Sequence, residues 1–444
     1  MPSSQMNPDI SDRKLRKSDQ TREQILSAAA RLFREQGYNA ATLRKIAKAA
    51  GMEAGSIYYH FGSKDEMLDE VLEIGLGAIV EAVSKVRART IADGTGFRDS
   101  FGQLVHTHLI YLLDASDFTS ANIRSFPMLP PEMRERHRPL RQAYAALWEG
   151  FLAEARAAGD IRADIRIVPL RQFVLGALNW TVEWYDPKRY PVHILADRVT
   201  KLLLDGMATA PATDPPVPPV LEIAAPQSDG SDTSKVAWTR AQILSASARI
   251  FRDRGYSAAT LRDIAAEAGM EAGSIYYHFT SKVAILDEVL DRGLRDMLVG
   301  VSAVLADTAR YPSPRSRIEA GIHAHMMYLF ALSEFTSANI RLYGQLPKDV
   351  RARHWPVRHE YAQIWDKCLS EAQEAGLIYG DLKVVPLRQL MLGSLNWTVE
   401  WFDPDKGERE DHYTLEEMVL MLQTLLLDGI VREKVLRQKP VRQG

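Results

Sequence analysis

Cysteine is nearly absent. The 444 residues contain one, Cys368, which excludes an intrachain disulfide framework and fits a reducing cytoplasm. Long apolar runs are also missing, since none approaches the roughly 18 residues that a membrane helix requires. The opening MPSSQMNPDISDRKLRK has no apolar segment behind its charges, so it does not read as a secretory signal. No Gly-rich phosphate loop, nucleophile elbow or zinc-ligand spacing is found, and nothing else in the chain suggests an enzyme. An HxH pattern at His106 and His108, and again at His323 and His325, invites a metal reading. On a helix, however, positions i and i+2 point to different sides, and no nearby Cys or carboxylate completes a ligand set. No metal and no cofactor is expected. Excess charge is lacking too, the net being -2, but its distribution matters more than its sum for a nucleic-acid binder.

What the chain does have is itself, twice. TREQILSAAARLFREQGYNAATLRKIAKAAGMEAGSIYYHFGSK (21–64) recurs at 239–282 with ten differences in 44 positions. FTSANIR returns at 118–124 and 335–341, and VPLRQFVLGALNWTVEWYDP (168–187) returns nearly intact at 385–404. The match runs far beyond any single motif, so a whole subunit of about 200 residues is duplicated. Between the copies, residues 208–235 are rich in Pro, Ser and Asp without helical periodicity, as expected of a stiff, extended linker.

The rest reads as helix. Thr21 with Gln24, and Thr239 with Gln242, are capping-box patterns. Ile25, Leu26, Ala29, Leu32 and Phe33 then share one helical face, and Gly37 and Gly255 stand where the helix should stop. Thr42 and Thr260 are expected N-caps of a short second helix, Gly51 and Gly269 a tight turn, and EAGSIYYHF a third short helix. Ile46, Ala47, Ile57 and Phe61 form the core of such a helix-turn-helix, whose second helix enters the DNA major groove. Thr42, Arg44, Ser56, Tyr58, Tyr59, His60 and Lys64 are left as groups able to face outward, with Lys45 adding charge beside them. Ser63 and Ser281 are expected to cap a fourth helix. The alternative for Tyr58, Tyr59 and His60 is that they pack a helical turn. The fold class is all-α.

The residues T-LR-IA--AGMEAGSIYYHF-SK, present in both copies behind a helix of suitable length, resemble the tetracycline-repressor (TetR) family of bacterial regulators. The resemblance implies two tandem subunits, each a three-helix DNA-binding domain followed by a larger helical effector and dimerisation domain. The expected boundaries are 18–64 and 65–207, then the linker 208–235, then 236–282 and 283–435. It further implies that positions such as Thr42, Tyr58, His60 and Lys64 hold phosphates, while Arg44, Ser56 and Tyr59 lie near the bases or groove wall. The second copy carries the same roles at Thr260, Arg262, Ser274, Tyr276, Tyr277, His278 and Lys282. A tandem duplication departs from the family's usual homodimer. The two copies are expected to meet inside one chain as a pseudo-dimer, with pairing between chains as the alternative. Leu202, Leu203 and Leu204, matching Leu425, Leu426 and Leu427, suit such a helix-bundle interface.

The effector pocket is expected among aromatic walls with a few polar groups: Phe118, Arg124, Tyr144, Trp148, Asn179, Trp180 and Trp184. Their counterparts are Phe335, Arg341, Tyr361, Trp365, Asn396, Trp397 and Trp401, and the alternative for Trp180 and Trp184, at i and i+4, is a place in the core or at an interface. NWTVEWYDP resembles the C-terminal domain of TetR regulators that sense coenzyme A thioesters, which implies an acyl-coenzyme A or other apolar ligand. Arg124, Arg138 and Arg141 are candidates for its phosphates, or else solvated and interhelical charges. The expected function is a repressor that binds an inverted-repeat operator in double-stranded DNA and is released by the effector. The alternative is an architectural DNA-binding protein without a ligand. Residues 11–64 hold eleven Lys/Arg against five Asp/Glu, whereas 229–282 hold seven against six. Lys45, Lys48 and Ala49 become Asp263, Ala266 and Glu267, and Arg13, Lys14, Arg16 and Lys17 have no basic counterpart but Lys235. The first head should therefore bind DNA more strongly than the second.

Overall fold

The computed structural model describes residues 8–38, 40–126, 129, 131–206, 235–343, 348–403 and 413–429. The expected linker, apart from Lys235, lies outside the described residues, as do 430–435 of the second effector domain and the side chains of Arg13, Lys14, Arg16 and Lys17. Among the described residues there are helices and no strand. Copy one supplies α1 (Pro8–Gln36), α2 (Leu43–Ala49), α3 (Ala54–Ile57), α4 (Lys64–Ala92), α5 (Phe97–Ile110), α6 (Asp117–Ser125), α7 (Pro131–Ala158), α8 (Ile167–Asn179) and α9 (Val192–Asp205). Copy two repeats the series as α10 (Lys235–Ala258), α11 (Leu261–Glu267), α12 (Ala272–Ile275), α13 (Lys282–Ala306), α14 (Pro314–Met327), α15 (Glu334–Tyr343), α16 (Lys348–Glu374), α17 (Val384–Asn396) and α18 (Leu415–Asp428).

Local chemistry sets the breaks. Gly37 and Gly255 adopt φ of 76° and 75°, and Gly51 and Gly269 of 71° and 67°, a region costly for any residue with a Cβ. Thr42 accepts from the Lys45 amide, Ser63 from Glu66 and Ser281 from Ala284. Each such cap contributes about 0.5–2 kcal/mol. The capping boxes expected at Thr21 and Thr239 are absent. α1 begins at Pro8 and α10 at Lys235, so both threonines stand inside continuing helix, where the backbone amides already have partners. The Thr239 hydroxyl instead donates back to the Lys235 carbonyl at 2.7 Å.

Packing divides the chain into two compact units, residues 1–148 with 185–196, and 149–184 with 197–444. In the first, Ile25, Ala29 and Phe33 of α1 meet Ile46, Ala47, Ile57 and Phe61, with Met67 and Val71 of α4 closing the head's core. α6 lies against α4 so closely that a Cβ on Gly75 would come 2.3 Å from the Phe118 carbonyl oxygen. Two buried side chains of FTSANIR bond the backbone of α4 there: Thr119 donates to the Gly75 carbonyl (3.1 Å) and Asn122 to that of Leu72 (2.8 Å).

The second unit repeats this head and adds the late helices of copy one. Gly293 stands 2.6 Å, by the same measure, from the Phe335 carbonyl oxygen. Thr336 and Asn339 donate to the carbonyls of Gly293 (3.2 Å) and Leu290 (2.9 Å). α8 packs on α17 by a reciprocal fit, with Trp397 over Gly176 and Trp180 over Gly393, ring atoms 2.6 and 2.3 Å from where a Cβ would stand. Beyond them Gly206 and Gly429, at the ends of α9 and α18, approach the carbonyls of Leu427 and Leu204 as closely. Leu202–Leu204 and Leu425–Leu427 are buried.

Gly75→Ala is expected to destabilise the protein by about 1–3 kcal/mol, the usual cost of forcing atoms into a packed interior. Gly77→Ala, on the same helix with nothing within 4 Å of a new Cβ, should stabilise by up to about 1 kcal/mol. Urea unfolding of both variants checks this, and equal effects would remove the close approach as a constraint.

Candidate nucleic-acid interface and effector-domain interior

The outward face of each head is built on a hydrophobic anchor and an arginine brace. Ile57 and Phe61 point inward while Tyr58 and Tyr59 are 63% and 90% exposed, as are Tyr276 and Tyr277. Such exposure argues against these rings as packing groups. α3 itself is only four residues, Ala54–Ile57, and the rest of the segment continues as a turn. That turn is held from behind. Arg22 of α1 pairs with Glu70 of α4, donates to the His60 carbonyl and lies 4.1 Å over the Phe61 ring. Arg240 repeats the arrangement with Glu288, the His278 carbonyl (2.6 Å) and Phe279. Sequence reasoning missed this brace because its partners are 48 residues apart.

Of the other expected contacts, Thr42, Arg44 and Lys45 are exposed, while Ser56 and His60 are half-buried; Thr260 and Arg262 are likewise exposed and Ser274 and His278 half-buried in the second head. Lys45 is folded back onto Gln36 (2.9 Å) and the Ala40 carbonyl (2.8 Å). Lys64 donates to the carbonyls of Tyr38 (2.9 Å) and Ala41 (3.1 Å) and sits over the Tyr38 ring. Lys282 does the same with Tyr256 and Ala259. Two of three ammonium protons are thus used inside the head, and burial lowers both lysine pKa values. These lysines brace the start of α4 and α13 against the preceding turn.

The heads differ at one cap. In copy two the Asp263 carboxylate accepts from both the amide (2.9 Å) and the hydroxyl (2.6 Å) of Thr260. The Thr260 proton that a phosphate would accept is directed to a carboxylate, and a negative charge stands beside it. Lys45 occupies that position in copy one. Glu267 is paired with Arg249 at 2.8 Å.

The expected effector residues fall into separate groups. Phe118 packs on the core of the first head, and Phe335 is buried in that of the second. Arg124 donates to the Arg34 carbonyl and Arg341 to that of Arg252. Arg141 bonds Asn122 (3.1 Å) and stacks 3.5 Å over Phe126, and Arg138 pairs with Glu135 on the surface. Trp180 and Trp397 sit in the reciprocal seats described above, while Trp184 and Trp401 are half-buried just beyond. What remains together is a buried polar cluster. In copy two His325 Nδ1 lies 2.7 Å from the Tyr361 hydroxyl and Nε2 3.2 Å from Asn396 Oδ1, beside the buried Trp365. An amide oxygen only accepts, so Nε2 carries the proton and Nδ1 accepts from the tyrosine. Burial holds His325 down to about 4, which keeps the ring neutral. In copy one His108 meets Tyr144 at 2.7 Å, with Trp148 buried edge-on to Phe101. Asn179 is buried likewise. Spacing in the sequence suggests these histidines only as metal ligands; His323 in fact faces Glu416 at 3.4 Å. Cys368 is buried and its thiol pushed up to about 11.

Tyr276→Ala should cost less affinity for a symmetric duplex than Tyr58→Ala. Asp263→Lys should steepen the salt dependence by about one unit, as expected when one more phosphate is neutralised. Fluorescence anisotropy at several salt concentrations measures both. Equal losses for the two tyrosine variants would show the heads to be equivalent.

The pattern of domains is matched by known families. A model described as "Bacterial regulatory proteins, tetR family" matches residues 25–71 and 243–289, and one described as "Tetracyclin repressor-like, C-terminal domain" matches 95–207 and 311–426. The transcriptional repressor KstR2 of Rhodococcus jostii (strain RHA1) is 32% identical over 191 residues, 42% of this chain and 91% of that protein. The fatty acid metabolism regulator protein of Bacillus subtilis (strain 168) is 24% identical over 188 residues, 41% and 94% of the two chains. A crystal structure of Bacillus subtilis FadR with stearoyl-CoA is 22% identical, with a TM-score of 0.35, covering 40% of this chain and 96% of that one.

Proposed function

Because this chain belongs to the TetR family of bacterial transcriptional regulators and carries the family's two domains twice, we propose that it is a repressor working as a pseudo-dimer within one chain. Its two heads bind the halves of one inverted-repeat operator, and an acyl-coenzyme A releases it. The observation that carries the reading is the reciprocal seat of Trp180 on Gly393 and Trp397 on Gly176. It joins the late helices of the two copies as the subunits of a two-fold dimer would be joined. The heads bear the identical segment GMEAGSIYYHF at 51–61 and 269–279, so both should read the same half-site. Tyr58, His60 and Lys64, with Tyr276, His278 and Lys282, are assigned to phosphates, and Arg44, Ser56 and Tyr59 with their counterparts to the groove.

The acyl-coenzyme A class is supported by kinship to a fatty acid metabolism regulator, and we assign the buried His325, Tyr361 and Asn396 cluster as the polar group that orients its carbonyl. Release requires the ligand to favour the DNA-incompetent arrangement. A hundredfold loss of DNA affinity corresponds to about 2.7 kcal/mol of coupling.

Native mass spectrometry with a duplex selected from a random-sequence pool is expected to show one 49.9 kDa chain per duplex, with both half-sites protected in footprinting. Two chains per duplex would overturn the single-chain reading. Titrating that complex with acyl-coenzyme A esters of increasing chain length should displace the duplex, and Asn396→Leu should blunt the response without loss of DNA binding. No displacement by any ester, and no coenzyme A thioester in the protein purified from its host, would favour a ligand-independent architectural role.

A further inference from the structure

Arg341 ends the repeated segment FTSANIR, and its guanidinium reaches two separate parts of the second unit. Nη1 donates to the Arg252 carbonyl at 2.9 Å, in the last regular turn of α10. Gly255 breaks the helix three residues later at φ 75°, and carbonyls at a helix end lack onward partners and favour a cation. Nη2 donates to the Val399 carbonyl, and Nε lies 3.9 Å from Glu400. Val399 and Glu400 belong to the single 3-10 turn Trp397–Glu400. That turn is a crossing point. Trp397 is the ring seated on Gly176 of copy one, and Asn396, just before it, holds His325.

We propose that Arg341 is a positioning residue that couples the C-terminal head to the Trp397–Glu400 turn, so that a shift at the turn is passed to α10 and a shift of the head returns to the turn. The planar, forked guanidinium suits the task, because it can fix two carbonyls in two directions at once. A lysine ammonium is a single point charge on a flexible stem. In copy one Arg124 makes the corresponding bond to the Arg34 carbonyl, three residues before Gly37. The coupling is reciprocal by linkage, so it is measurable from the DNA side alone. It holds whatever the effector is, and a failed acyl-coenzyme A titration leaves it standing.

The test uses the full chain, the duplex selected from a random-sequence pool, and the variants Arg341→Lys and Arg341→Gln. Hydrogen exchange is followed at residues 397–402 with and without duplex, alongside thermal unfolding and duplex affinity. In the wild type, duplex binding should change exchange in this segment by about tenfold. Arg341→Lys should keep the melting temperature and bind duplex within about threefold of wild type, yet lose most of that change, since one cationic point caps α10 but does not bridge. Arg341→Gln should lose the change as well. An unaltered change in both variants, or no change in the wild type, would overturn the proposal. So would a lysine variant indistinguishable from wild type beside an unstable glutamine variant, because that pattern marks a purely structural charge.

Discussion

In each copy a glycine removes the obstacle where one helix comes nearest the backbone of another. At Gly75 and Gly293, α6 and α15 lie against α4 and α13 at distances no Cβ would allow, and buried Thr and Asn side chains bond the exposed faces of the helix carbonyls. The consequence runs both ways along α4. Its first turns, through Met67 and Val71, are part of the head's core, whereas its middle is locked to the effector domain. A rigid helix shared by two cores leaves the head few ways to turn independently, because packed interiors shift between discrete arrangements rather than deform smoothly.

Around that contact the polar groups are arranged in layers. Nearest the DNA face, Arg22 and Arg240 hold the carbonyl at the end of the recognition segment. In the next layer, Arg124 and Arg341 hold the carbonyls at the end of the heads' first helices. Deepest lie the buried His–Tyr pairs. In each of the first two layers a guanidinium donates to backbone carbonyls rather than only to a carboxylate, so the bond reports the position of main chain and not of a mobile side chain.

Features that depend on neighbours in sequence are legible from the residues alone. The duplication, the caps at Thr42, Ser63 and Ser281, the glycine breaks and the inward set Ile46, Ala47, Ile57 and Phe61 all rest on local spacing. The capping box at Thr21 fails because a cap is defined by the residues before it, and those residues remain helical back to Pro8. FTSANIR is visible as a repeat, but its work is done on carbonyls some 45 to 90 residues away in sequence, which no periodicity reports. The histidines read as HxH pairs, whereas the second of each pair bonds a tyrosine 36 residues on. Of the aromatic residues expected around one pocket, Phe118 and Phe335 stand at head cores, Trp180 and Trp397 in helix seats and Tyr361 in the buried cluster, since large apolar side chains suit all three places.

The seats of Trp180 and Trp397 carry a consequence for numbers of molecules. A surface formed between two separate chains is governed by mass action and opens as the protein is diluted. In the single-chain assembly proposed above both halves, α8 and α17, lie on one polypeptide, so their closure is a first-order equilibrium with no concentration in it. A cell that makes only a few copies retains the same fraction closed as one that makes thousands.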